Sequence, residues 1–160
     1  AAWARRWTEE SHRLDLTGAL AKIEEGDALA AKGLAAHALT KYEEALAAEP
    51  DNAAARYCRG TQLVLLGRRE EARREMLTTL RTAPTAENVR LLTRHELGWL
   101  AAQDGDLVEA VRQLSRALRE CSYGPDSWSV ANDLAAVWRR RGREDIAAAI
   151  ERWAAVWANR

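Results

Sequence analysis

The sequence predicts an all-α fold, a row of antiparallel helix pairs, and three observations predict it. Ala, Leu, Arg and Glu dominate a chain with only three prolines and nine glycines, a mixture rich in helix formers and poor in breakers. Glycines divide the chain into stretches whose apolar residues recur with a helical period. One spacing of small and large residues then returns four times along the chain.

That spacing starts from a loop glycine. Gly33 is followed by Ala38, Tyr42, Ala45 and Pro50, and Gly67 at the same intervals by Ala72, Met76, Thr79 and Pro84. Gly105 leads to Ala110, Leu114, Ala117 and Ser122, and Gly142 to Ala147, Glu151 and Ala154. Seven residues before each of these glycines stands another small residue: Gly26, Gly60, Gly98 and Ala135. A glycine between two periodic stretches allows the positive φ that ends a helix tightly. The small residue ahead of it lets a partner helix come close, and the large residue fills the gap beside it. A proline after the second helix stops that helix. Each unit is then a pair of antiparallel helices with one apolar face left over, and stacking on the next unit covers that face.

Helix pairs are predicted over residues 18–32 and 35–49, 52–66 and 69–83, 87–103 and 106–121, and 127–141 and 144–158. Residues 1–160 read as one domain, with repeats over 18–50, 52–84, 87–122 and 127–159 and a leading helix within 1–16. Trp3 and Trp7 stand one turn apart in that leading helix, and Ala4 and Ser11 are small and seven apart. It reads either as a cap on the first repeat or as half of an earlier one.

The order small, large, small, proline in the first two copies, with the Leu97-Gly98 pair, resembles the tetratricopeptide-repeat (TPR) family. Gly33 and Gly67 lie 34 residues apart, matching the family's period of about 34. The next two intervals are 38 and 37, which places insertions or lengthened helices around Thr85–Arg90 and Ser122–Asp126. The resemblance runs from about Gly18 to Arg160. The fourth copy departs from it, with Glu151 where a large apolar residue belongs and Ile150 and Trp153 on either side. What the resemblance implies is a right-handed αα-superhelix that binds peptides on its concave surface, lined by the first helix of each pair.

Carried over by spacing, the lining candidates are Ile23, Asp27 and Ala30, then Tyr57, Cys58, Thr61 and Val64. The third repeat offers His95, Glu96, Trp99 and Ala102, and the fourth Asn132, Asp133, Ala136, Arg139 and Arg140. Family members that clamp a terminal carboxylate do so with paired Lys, Asn and Arg residues. Here those places hold Ile23, Asp27, Cys58, Leu92 and Glu96, and the two acids would repel a carboxylate. A mixed surface remains. Tyr57, Val64 and Trp99 are apolar anchors, Thr61, His95 and Asn132 hydrogen-bonding groups, and Arg139 with Arg140 a positive end. Such a surface suits an extended or helical peptide with apolar anchors and an acidic end. Tyr57 and Trp99 can instead pack between neighbouring helices, and His95 can serve as a hydrogen-bonded surface histidine. The 139–143 stretch reads as the basic last turn of a helix, favoured by the macrodipole.

The charge balance, 24 Lys and Arg against 24 Asp and Glu, argues against nucleic acid or anionic lipid as partners, since both need a one-sided field. No apolar run approaches the roughly 20 residues of a spanning helix, and no stretch has signal-peptide order. Cys58 and Cys121 form no CxxC or zinc pattern and read as free thiols in a reducing cytoplasm. His12, His37 and His95 fall in different predicted helices, and no HExxH, P-loop or dinucleotide motif occurs, so neither an enzyme nor a cofactor or metal site is expected. Trp153, Val156 and Trp157 make an apolar stripe on the last helix. It reads either as a contact with a second copy or a neighbouring domain, or as packing against the preceding helix. The chain does not begin with Met, which suggests a processed chain or a piece of a longer one.

The functional expectation is a protein–protein interaction module acting as a scaffold or adaptor. The alternatives are a small chaperone similar to those of bacterial secretion systems and a segment of a larger regulatory protein. The neutral charge counts against the chaperone.

Overall fold

The computed structural model describes residues 18–83, 86–120 and 125–158. The predicted leading helix, Pro84, Cys121 and Ser122 lie outside the described residues, as does the side chain of Trp157. Eight helices and no strand occur among those described. They are α1 (Ala19–Ala31), α2 (Ala35–Ala48), α3 (Ala53–Leu65), α4 (Arg69–Thr82), α5 (Glu87–Gln103), α6 (Leu107–Glu120), α7 (Pro125–Arg140) and α8 (Glu144–Ala158). The fold is all-α, built of consecutive helix pairs.

One device turns the chain within every pair. Gly33, Gly67, Gly105 and Gly142 have φ of 74°, 75°, 84° and 74°. At the first, Leu34 N–H donates to the carbonyl of Leu29 at 3.0 Å and Gly33 N–H to that of Ala30 at 2.9 Å. The same two bonds recur as Arg68 to Leu63 with Gly67 to Val64, Asp106 to Ala101 with Gly105 to Ala102, and Arg143 to Trp138 with Gly142 to Arg139. This is the Schellman arrangement, which satisfies the last carbonyls of a helix and needs a left-handed residue. Local chemistry also starts the helices. The side chain of Asn52 accepts from Ala55 N–H at 2.9 Å ahead of α3, and that of Asp106 from Glu109 N–H at 3.0 Å ahead of α6.

The chain divides into two compact units, Ala1–Thr78 and Thr79–Arg160. In the first, α2 packs on both α1 and α3. Its core clusters gather Ala19, Ala45 and Ala55 with Ile23 and Leu46, and Leu39, Leu63 and Ala72 with Val64. In the second, α6 packs on α5 and α7, α8 on α7, and α5 meets α7 directly. One cluster there includes Leu91, Ala110, Leu114, Val130, Leu134 and Val137, with Trp138 and Ile150 packed against it.

The small-to-large pairing is visible in both units. A Cβ on Gly26 would lie 2.6 Å from the Tyr42 ring, and one on Gly98 would lie 2.7 Å from Leu114 Cγ. Gly60 is looser, with Met76 Cγ at 3.3 Å. Tyr42, Met76 and Leu114 are all fully buried, as are the small residues Ala38, Ala72, Ala110 and Ala147. In the fourth pair Ala135 is buried but Glu151 turns outward to Arg139, at 2.6 Å, while Ile150 packs against the core.

Lengthened helices account for the stretched repeats. α1 and α3 have 13 residues each, whereas α5 has 17 and α7 has 16. These excesses of four and three residues are those by which the glycine intervals exceed 34. Each is about one helical turn. The turn added to α5, residues 87–90, carries Arg90. Arg90 donates to the Leu80 carbonyl at 3.0 Å and to Glu120 at 2.6 Å. Arg94, one turn on and buried, donates twice to Glu120, at 2.8 and 3.0 Å, and once to Gln113 at 3.0 Å. Burial of a guanidinium is tolerated when its donors are matched in this way.

Candidate functional site

In the first unit the expected lining residues belong to α1 and α3. Tyr42 seats its ring against Gly26 and sends its hydroxyl out to donate to Asp27 at 2.7 Å. Burial first, and then the bond to Asp27, pushes the Tyr42 hydroxyl well above the usual phenol range. Burial, with the Asp27 charge, likewise pushes the Cys58 thiol up to about 11. Cys58 is a free cysteine that stays protonated at neutral pH and is a poor nucleophile. Thr61 donates to the carbonyl of Cys58 in its own helix at 2.7 Å, so its hydroxyl proton is committed. Val64 is half-buried against Leu39, Leu63 and Ala72, and Tyr57 is half-buried on the same helix.

In the second unit α5 and α7 present the expected residues together. His95 Nε2 and Asp133 Oδ2 are 2.6 Å apart, a pair that bridges the two helices. Beside it Glu96 is half-buried. Burial holds its carboxyl above the usual carboxylate range; His95 pulls it down and Asp133 pushes it up. Trp99, one turn beyond His95, is 40% exposed, although its neighbours Leu97, Gly98, Leu100, Ala101 and Ala102 are buried. Asn132 is half-buried and Ala136 exposed.

The basic run at the end of α7 is absorbed within the fold. Arg139 donates to Glu144 at 3.2 Å and to Glu151 at 2.6 Å, and these bonds raise its own pKa and lower that of Glu151. Arg140 donates to the carbonyl of Ala102 at 2.8 Å, capping the last turn of α5 from the neighbouring repeat. Arg141 lies 4.7 Å above the Trp138 ring, and Arg143 pairs with Asp145 at 2.7 Å. The positive end expected from sequence is therefore a set of tethers.

One exposed aromatic escaped the sequence reading. Trp128, 52% exposed, stands four residues before Asn132 on α7 and so shares its side of the helix. The signal was legible as the position one turn back from Asn132. On α8, Trp153 is half-buried and Val156 is 57% exposed. Among the described residues no group of His, Cys, Asp and Glu could hold a metal ion, and no helix is long and apolar enough to cross a membrane.

No protein-family model and no curated protein matches the chain. Solved structures do. A crystal structure of MamA superposes with a TM-score of 0.75 at 12% identity, over 94% of this chain and 84% of that one. MamA 41-end from Desulfovibrio magneticus RS-1 gives 0.71 at 19% identity, over 96% and 83%. A structure of MamA AMB-1 gives 0.63 at 21% identity, over 86% and 72%. At these identities the likeness is one of fold, that of a TPR-like all-helical protein.

Proposed function

We propose that this chain is a protein-interaction module, a scaffold or adaptor that holds extended or helical segments of a partner against the first helices within each unit. Trp99 carries the proposal. It leaves 40% of its surface exposed on a helix whose remaining apolar residues are almost all buried. Exposed aromatic anchors of this kind dominate the energetics of protein recognition. Tyr57, Thr61 and Val64 would contribute in the first unit, and His95, Asn132 and the newly noted Trp128 in the second. Arg139 would act there through its ion pairs, by holding the end of α7 in place. The TPR-like fold supports the reading, because stacked helix pairs offer such faces without any chemistry of their own. The protonated Cys58 thiol is in keeping with a binding rather than a catalytic role.

The test is comparative capture. Immobilised protein and a Tyr57→Ala, Trp99→Ala variant are exposed to the same lysate, and retained proteins are identified by mass spectrometry. Loss of specific partners from the variant, with unchanged helicity by circular dichroism, is expected. Identical partner sets would overturn the lining faces as the binding surface.

A further inference from the structure

We infer that the Trp99 face of the second unit receives a cationic side chain, an arginine or lysine of the partner peptide. The inference rests on the proposed function and names the chemistry of the partner at that surface. It reverses the sequence expectation of an acidic peptide end, which depended on Arg139 and Arg140 being available. Arg139 is paired with Glu144 and Glu151, and Arg140 keeps its charge but is tied by one donor to the Ala102 carbonyl at the end of α5.

Beside Trp99 stand two carboxylates, Glu96 and Asp133, against the single charge of Arg140 at the end of the helix. Glu96 lies three residues before Trp99 and His95 four, so both flank the indole on α5. Glu96 forms no ion pair or hydrogen bond among the described residues. His95 is engaged by Asp133 through Oδ2, and Asp133 remains 44% exposed, with Oδ1 turned to no partner among those residues. Two carboxylates beside a half-exposed indole form a surface complementary to a cation. The ring face attracts a guanidinium or ammonium through its quadrupole, and the carboxylates add charge and hydrogen-bond acceptors. An incoming cation would also relieve the repulsion between Asp133 and the half-buried Glu96. An acidic side chain would meet the same carboxylates and be refused. Arginine should be preferred to lysine, since its planar group can stack on the indole while its edge reaches a carboxylate.

The experiment measures fluorescence anisotropy with three labelled peptides that share an Ala–Leu background and differ only at two central residues: Arg-Arg, Gln-Gln or Glu-Glu. Each is titrated with the wild-type chain, with Trp99→Ala, and with a Glu96→Gln, Asp133→Asn double variant that keeps side-chain size and so the fold. The Arg-Arg peptide should bind about tenfold more tightly than the Glu-Glu peptide. It should lose about tenfold in the double variant and weaken as ionic strength rises from about 0.05 to about 0.5 M. Equal affinity for all three peptides, lost in Trp99→Ala, overturns the cation inference but leaves the lining face as a binding surface. An Arg-Arg peptide that binds every variant alike, or no peptide binding at all, overturns both for this unit.

Discussion

The two units share one repeat core and differ in the length of the helices that carry it. In the first, α1 and α3 are 13 residues long, the ion pairs of Lys22 and Lys41 with Glu25 and Glu44 beside α1 are open to solvent, and those of Arg56 and Arg59 with Glu75 beside α3 are largely covered. In the second, α5 and α7 each gain about a turn. The gained turn of α5 places Arg90 beside Glu120 and thereby completes a network around the buried Arg94. The same unit leaves Trp99 and Trp128 exposed and brings Glu96, His95 and Asp133 together. An added turn leaves the glycine-set helix pair untouched and extends the surface that the first helices present. A repeat can therefore diversify its exposed face while its packing signature stays constant.

The largest test of this contrast removes the acceptor at the centre of the network. Glu120→Ala strips Arg94 of two of its hydrogen bonds while it remains buried, and should cost about 2 kcal/mol of stability in denaturant unfolding. Glu75→Ala, the counterpart in the first unit, leaves Arg56 with the Pro50 carbonyl and Arg59 with Glu43, both arginines lying nearer solvent than Arg94, and should cost about 1 kcal/mol. Equal losses would break the distinction between a buried and a half-open network.

A smaller effect separates the close approaches. Gly98→Ala pushes a methyl against the branch point of Leu114 and should destabilise by about 1–2 kcal/mol. Gly60→Ala meets only the flexible Met76. Its gain in helix propensity should offset the crowding, leaving a change within about 0.5 kcal/mol of zero. Thermal midpoints of the two variants decide it, and a Gly98→Ala protein as stable as wild type would sink the packing account.

The smallest effect is electrostatic and follows pH. The folded-state pKa of Glu96 is raised, by burial and by Asp133, with His95 acting in the opposite direction. Its contribution to stability is then fullest below the unfolded carboxylate range and is lost as pH rises through the raised value. Glu96→Gln should accordingly be more stable than wild type near pH 7 and show no advantage near pH 4. A constant difference across that range would remove the charge as the cause.

Much of the fold was legible because its determinants are local. The predicted pairs match the observed helices to within a residue or two at nearly every end, and the loop glycines all take positive φ. The longer α5 and α7 were one of the two outcomes open for the stretched intervals. For the proposed lining residues the sequence offered two readings each, and their surroundings differ: Trp99 is 40% exposed and His95 is hydrogen-bonded, whereas Val64 leans on the core and Thr61 bonds its own helix.

By itself the sequence determined the helix pairs, their turns and which small residue faces which large one. Those features depend on φ at a glycine and on a helical period, both set within a few residues of chain. Tertiary structure alone decided the charge of the face around Trp99. Arg140 finds its carbonyl 38 residues away, and His95 finds Asp133 across the same separation. A long polar side chain takes whichever partner a neighbouring helix brings within reach, and no local pattern records that choice.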